Sequence, residues 1–178
     1  VLVGIIIAVF AKYRPSVINR TFGRLQIISS TWFALTHGAN DGQKTMGIIV
    51  LILFSADLIS EIHMPLWVIL AAASAMSLGT FFGGYKVIKT LGLRITRLKP
   101  YQGFAAETGG GIMLAAFAIL GIPASTTHAI TGTIMGAGAA RRVRAVRWKV
   151  SRQIIFSWVI TIPGAAGLAI AFTYIIHL

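Results

Sequence analysis

Three clusters of basic residues separate long apolar stretches along this chain, and this arrangement limits what the chain can fold into. The clusters span residues 12–24, 86–99 and 141–152, and every Lys and Arg except Lys44 lies in one of them. Short loops rich in Lys and Arg beside apolar spans face the cytoplasm in membrane proteins. The pattern predicts a membrane protein whose three basic clusters lie on the cytoplasmic side.

The overall composition supports this prediction. Hydrophobic residues make up 56% of the 178 residues and charged residues 11%, with a mean hydropathy of +0.82. A soluble domain is much more polar. The net charge of +12 does not indicate nucleic-acid binding, because the basic clusters contain no nucleic-acid recognition motif. The chain has no cysteine, which excludes disulfides, thiolate metal sites and cysteine nucleophiles.

The apolar stretches predict an all-α fold. They are continuously apolar, without the period-two alternation of a membrane barrel, so helices are expected. The predicted elements cover residues 1–11, 25–59, 66–88, 104–140 and 154–176. The first stretch is about half the roughly 20 residues that a spanning helix needs. We therefore expect the chain to be part of a larger, polytopic protein.

The stretch at residues 104–140 predicts a re-entrant helical hairpin. It begins and ends beside basic clusters, so both ends belong on the cytoplasmic side. Two full crossings of about 20 residues each, plus a turn, would need more than this length. We expect Pro123 to stop the first arm and Ser125 to cap the second. Non-helical backbone at the tip would then lie within the membrane, where it marks a candidate site.

The stretch at residues 25–59 is interrupted by the polar segment 37–44, and this predicts a broken helix. Asn40 or Asp41 would cap a new helix starting near Gln43. Two half-helix N-termini, one here and one at Ser125, would then offer free N–H groups to an anion. Together with Lys44, such a donor set suits a tetrahedral oxyanion such as phosphate.

A bare carboxylate at Asp41 would repel that anion, so something must neutralise it. A proton would do so, as would Na⁺ held by Asp41, Asn40 and threonine side chains. The residues therefore predict symport of an anion with Na⁺ or H⁺, and they do not choose between the two ions. No cofactor beyond the coupling ion is expected.

Several of these residues also have structural interpretations. The hydroxyls of residues 125–127 could bond back to helix carbonyls. His37 is expected to be a structural core histidine. His128 either carries a proton or braces the hairpin tip. Glu107 is either functional or directed towards the cytoplasmic interface.

Two segments taken together resemble the inorganic phosphate transporter family of sodium- or proton-coupled permeases. One is GANDGQKTMG at residues 38–47. The other combines FAAE at 104–107 with GIPASTTH at 121–128. The resemblance covers essentially the whole chain but only one repeat. It implies two inverted repeats, each with a broken helix and a hairpin, so the partner of this chain would be an N-terminal repeat of the same transporter.

The resemblance also implies roles for individual residues. Those expected to bind phosphate are Asn40, Gln43, Ser125, Thr126 and Thr127. Those expected to hold the coupling ion are Asp41, Asn40 and Thr45, with Asp41 as the Na⁺ ligand if sodium is used. Those expected to be needed for transport are Glu107, Lys44 and His128.

The sequence therefore predicts a multi-pass protein of the cell membrane, plasma or inner, that transports phosphate by alternating access and is not an enzyme. A phosphate channel or uniporter is the alternative, since it would also use half-helix N-termini. An intramembrane hydrolase using Ser125 and His128 is disfavoured, because no carboxylate nearby would orient the histidine. The sequence leaves open the oligomeric state and whether phosphate moves free or as a metal complex.

Overall fold

The computed structural model describes residues 1–176, apart from the side chains of residues 86, 91, 93 and 176. Its elements are helices, and residues 1–176 contain no strand. The helices are α1 (Leu2–Phe10), α2 (Pro15–Ser55), α3 (Leu66–Lys89), α4 (Pro100–Ile119), α5 (Thr126–Ala139) and α6 (Trp148–Ile176). A π-helical segment, Thr90–Ile95, follows α3, and a 3₁₀ turn, Val143–Ala145, precedes α6. The predicted all-α fold is confirmed.

Helix α2 is continuous through the polar segment 37–44, so the predicted break in this helix is wrong. The segment contains no proline, and an unbroken helix satisfies its own backbone N–H and C=O groups, which a break within a membrane would leave without partners. No half-helix therefore starts at Gln43. At 41 residues, α2 is about 60 Å long.

Helices α4 and α5 form the predicted helical hairpin, but proline does not end its first arm. The N–H groups of Gly121 and Ile122 donate to the carbonyls of Ala118 and Phe117, at 3.3 and 2.9 Å. Gly121 has a φ of +67°, which completes a glycine C-cap before Pro123 is reached. The second arm starts as predicted: the Oγ of Ser125 accepts a hydrogen bond from the N–H of His128, at 3.3 Å.

Helix α2 packs mainly against α4, and glycines on α4 allow the close approach. A Cβ atom on Gly103 or Gly111 would lie less than 3.0 Å from the side chain of Gln26 or Trp32. Glycine at these positions therefore lets the two helices lie closer together than a larger residue would. Polar side chains of α2 are thereby brought within hydrogen-bond distance of α4 and the hairpin tip.

The three basic clusters meet at one end of the helical bundle. Lys99 and Arg141 line one cavity together with Tyr13 and Pro15 of the first cluster. Nearby, the N–H of Arg147 donates to the carbonyl of Ile95, at 2.9 Å. This arrangement agrees with the expectation that all three clusters lie on one side of a membrane.

Among the described residues, two helices are long and apolar enough to cross a membrane. They are residues Leu66–Tyr85 of α3 and Trp148–Ile175 of α6. Most side chains of α6 are exposed, including large apolar ones such as Phe156, Ile162 and Phe172. These exposed apolar surfaces suit contact with lipid or with another part of a membrane protein.

Candidate functional site

Asp41 lies near the middle of α2, and three side chains surround its carboxylate. Its Oδ1 accepts a hydrogen bond from the Nζ of Lys44, at 3.1 Å. Its Oδ2 accepts one from the Oγ1 of Thr126, at 3.0 Å, and lies 3.0 Å from the Nε2 of His37. We call these four residues the Asp41 centre. The side chain of Asp41 is 30% exposed, so its carboxylate is not fully buried.

Lys44 connects α2 to the hairpin tip. Besides its ion pair with Asp41, its Nζ donates a hydrogen bond to the backbone carbonyl of Ala124. This carbonyl belongs to the non-helical turn between α4 and α5, so it has no partner N–H group of the kind that a helix provides. A single cation therefore holds both the Asp41 carboxylate and the tip of the hairpin.

A cavity of about 230 Å³ lies between this part of α2 and the tip. Its lining includes the predicted ligands Asn40 and Gln43, as well as Lys44. The opposite wall is formed by the turn residues Gly121, Ile122 and Pro123. The two motifs singled out in the sequence, about 80 residues apart, therefore line one cavity.

The start of α5 contributes a partly positive end to this region. The Ser125 hydroxyl accepts a hydrogen bond from the N–H of His128. The other N–H groups in the first turn have no partner within the helix. The Oγ1 of Thr126 is bonded to Asp41, so this helix end lies beside the Asp41 centre. It is the only half-helix N-terminus at the site within the described residues, since α2 does not break.

The other residues predicted to bind a ligand or to be needed for transport make contacts with other groups or are exposed. Asn40 is buried, and its Nδ2 is 3.5 Å from the carbonyl of Leu114 on α4. The Oγ1 of Thr45 donates to the carbonyl of Asp41, at 3.0 Å, within its own helix. Thr127 and His128 are exposed, and the ring of His128 packs on Trp158 with centroids 3.8 Å apart.

His37 was expected to be a core histidine, and this expectation is wrong. Its side chain is 40% exposed, and its Nε2 lies against Asp41. The spacing of four residues would have indicated the contact, because residues i and i+4 are neighbours on a continuous helix. The predicted break hid this signal.

Glu107 lies in a separate polar group near the start of α4. Its Oε1 accepts a hydrogen bond from the Nε2 of Gln26, at 3.2 Å, and its Oε2 accepts one from the Oγ of Ser29, at 2.6 Å. We call these three residues the Glu107 centre. Twelve residues separate Ser29 from Asp41, which places the two centres about 20 Å apart along α2. Glu107 therefore belongs to the interface between α2 and α4 and not to the Asp41 centre.

The geometry does not support a Ser–His nucleophile or a preformed metal site. The Ser125 hydroxyl caps its own helix, while the imidazole of His128 packs on Trp158. Among residues 1–176, no group of three or more His, Asp or Glu side chains is placed to hold a metal ion. Around Asp41, further oxygen ligands would have to come from hydroxyls and backbone carbonyls.

Comparison with known proteins agrees with these features. A model of the phosphate transporter family matches residues 5–169. A relative from Rhizobium meliloti is 51% identical over 166 residues, which is 93% of this chain and 50% of the relative. One from Bacillus subtilis is 37% identical over the whole chain and 54% of its own length. Both are named probable low-affinity inorganic phosphate transporters.

A more distant relative, inorganic phosphate transporter 2-1 of Arabidopsis thaliana chloroplasts, is 36% identical over 86% of this chain. No solved structure matches. The chain spans about half the length of the first two relatives. These relatives are transporters and not enzymes, and a transporter family implies a membrane protein. With nearly all of its length matched by the family model, the chain belongs to the phosphate transporter family.

Proposed function

We propose that the full-length protein containing this chain transports inorganic phosphate across the cell membrane, coupled to Na⁺ or H⁺. The chain would supply one of two inverted repeats, with the other supplied by the rest of the protein. Its half-length match to the bacterial relatives supports this division, and their names support phosphate as the substrate. Transport would proceed by alternating access around the site at the hairpin tip.

One observation carries the proposal: Lys44 lines the cavity at the hairpin tip and is bonded both to the Asp41 carboxylate and to the carbonyl of Ala124 in the tip. The cavity combines a lysine, the amide side chain of Gln43 and the nearby N-terminus of α5. Such donors bind compact oxyanions, because they supply positive charge and hydrogen bonds.

The ion pair between Lys44 and Asp41 suggests how anion and cation binding are coupled. In the present conformation the lysine balances the charge of the carboxylate, at 3.1 Å. A phosphate in the cavity would compete with Asp41 for the same ammonium group. Once the lysine turns to phosphate, Asp41 is left with an uncompensated charge, which is costly in a membrane. Binding of Na⁺ or a proton to Asp41 removes that cost, so anion and cation bind together.

The test is phosphate uptake by proteoliposomes that contain the full-length protein. An inward Na⁺ gradient is compared with an inward proton gradient at the same membrane potential. We expect accumulation above equilibrium under one of the two gradients. Asp41→Asn should abolish that accumulation, because a neutral amide no longer requires a cation.

Asp57→Asn is the matched control, since it makes the same chemical change in an exposed turn. Residue 57 has a φ of +56°, a conformation that asparagine adopts readily, so the control should fold normally. Uptake by this variant should equal that of the wild type. Phosphate movement that only equilibrates, under either gradient and with either residue at position 41, would replace the symporter with a channel or uniporter.

A further inference from the structure

The second site of interest lies at the basic end of the bundle, far from the hairpin tip. A cavity of about 290 Å³ opens between α1, the start of α2 and the two loops that flank the hairpin. Its polar lining includes Lys99, Arg141 and Tyr13, and its apolar lining includes Ile7, Phe10 and Ile18. We call it the basic cavity. Its two cations come from different basic clusters, one before α4 and one after α5.

These cations have no counter-charge within the described chain. The three basic clusters contain no Asp or Glu, and the four acidic residues of the sequence are Asp41, Asp57, Glu61 and Glu107. Both salt bridges found in residues 1–176 involve Asp41. Lys99 and Arg141 are exposed and converge on one cavity, so an anion from outside the chain would relieve their mutual repulsion.

The apolar wall indicates which kind of anion fits. Inorganic phosphate would gain nothing from contact with Ile7, Phe10 and Ile18, whereas the acyl chain of a lipid would bury apolar surface there. The basic end of a membrane protein faces the leaflet interface, where anionic lipids are concentrated, and basic pockets between helices bind their headgroups. We propose that the basic cavity binds one anionic phospholipid, with its phosphate between Lys99 and Arg141 and an acyl chain along α1.

This site would do more than attract lipid to the surface. The two cations lie on either side of the hairpin, so one bound headgroup would connect the loop that leads into α4 to the loop that leaves α5. Lipid binding should therefore stabilise the base of the hairpin against thermal unfolding. The inference rests on the chain lying in a membrane and not on phosphate being the transported substrate.

The test uses the full-length protein in detergent without inorganic phosphate. Binding of phosphatidylglycerol and of phosphatidylcholine is measured by native mass spectrometry, and the shift of the melting temperature by each lipid is recorded. The wild type should retain one phosphatidylglycerol and be stabilised by it, with no such effect from phosphatidylcholine. Lys99→Gln with Arg141→Gln should weaken phosphatidylglycerol binding by about 30-fold, since each Lys or Arg contributes about fivefold.

The matched control removes two cations outside the cavity, through Arg144→Gln with Arg152→Gln. It should bind phosphatidylglycerol nearly as well as the wild type. An equal loss in both double variants would mean diffuse attraction to a basic surface and would overturn the proposal. A second variant, Lys99→Arg with Arg141→Lys, keeps both charges and should keep binding. If it loses binding as well, the two charges are not the basis of the site.

A competition arm separates the two sources of phosphate. Inorganic phosphate added at millimolar concentration should leave phosphatidylglycerol bound to the wild type. Displacement of the lipid by free phosphate would assign the cavity to the small anion instead. Because this assay measures no transport, its failure is distinguishable from failure of the proposed phosphate uptake.

Discussion

Two carboxylate-containing centres lie along helix α2, and their electrostatics differ. At the Asp41 centre, the carboxylate is paired with the ammonium group of Lys44, a residue that lines an open cavity. At the Glu107 centre, the carboxylate is held only by the neutral side chains of Gln26 and Ser29. No cation lies within salt-bridge distance of Glu107 in the part of the chain that the structure describes. One charge is balanced and the other is not.

The difference suggests two separate tasks. The balanced pair can exchange its partner when an anion arrives, which suits binding and coupling. An unbalanced carboxylate at a helix interface costs free energy that a glutamine would avoid, so its charge is expected to serve transport and not packing alone. Because the continuous helix α2 contributes side chains to both centres, we expect a displacement of α2 at one of them to be felt at the other. The predictions below ask whether the two tasks are separable.

The largest effect is expected for Lys44→Gln. The apparent KM for phosphate should rise about 10- to 150-fold, because a charge-assisted hydrogen bond worth about 1.5–3 kcal/mol is lost. The measurement is the concentration dependence of uptake in proteoliposomes. Lys89→Gln removes a lysine outside the cavity and should leave the KM unchanged. A normal KM in Lys44→Gln would show that this lysine does not contact the substrate.

The next effect is expected for Glu107→Gln. Glutamine can still accept from Gln26 and can donate to the Oγ of Ser29, whose O–H then turns to the carbonyl of Gln26, 3.1 Å away. The melting temperature should therefore stay near that of the wild type. Maximal uptake should fall about tenfold, as expected for loss of about 1.4 kcal/mol in the transport step, with little change in KM.

Glu61→Gln provides the control for that substitution, because Glu61 is exposed in the loop between α2 and α3. It should transport at the wild-type rate. If Glu107→Gln transports normally as well, the Glu107 centre only fixes α2 against α4, and the proposed division of tasks fails.

Much of the hairpin was predictable, because its signals are local. A glycine, a proline and a serine within five residues mark a turn, and Ser125 caps the second arm as its residue type indicates. The position of the three basic clusters at one end was predictable for the same reason, since loop charge is visible in the sequence. From the sequence, we did not predict that Gly121, rather than Pro123, would end α4.

The continuity of α2 and the position of Glu107 depend on tertiary contacts that sequence patterns do not reveal. The segment around Asp41 has the polarity of a break, but Thr126 and Lys44 give its carboxylate partners without one. Glu107 is bonded to Gln26, 81 residues away in the chain. That contact depends on glycine at position 103, because a Cβ atom there would collide with the side chain of Gln26. Nothing in the local sequence indicates which residue a glycine faces.

A smaller effect is expected at Ser125, where two roles overlap. Its oxygen caps α5, and its O–H remains able to donate to a phosphate oxygen. Ser125→Ala loses both roles, while Ser125→Gly largely preserves the cap, because glycine costs only a few tenths of a kcal/mol there. If Ser125 binds phosphate, both variants should raise the KM about tenfold, the low end of the range for a charge-assisted bond. A normal KM in Ser125→Gly alone would reduce this residue to a cap.

The smallest effect, and the most specific to the comparison, is expected for Gly103→Ala. The new methyl group would meet the amide of Gln26, the same group that donates to Glu107. Because this amide is the end of a flexible side chain, it can move away, at a cost near the lower limit for overpacking, about 1 kcal/mol. Maximal uptake should fall a few-fold while the KM for phosphate stays at the wild-type value.

Gly109→Ala is the control on the same helix, since its methyl group would make only an ordinary contact with Leu2, at 3.5 Å. A rise in KM in Gly103→Ala would mean that a displacement at the Glu107 centre is transmitted along α2 to the Asp41 centre about 20 Å away. The two centres would then act as one unit, and the difference in their charge balance would describe two parts of a single switch.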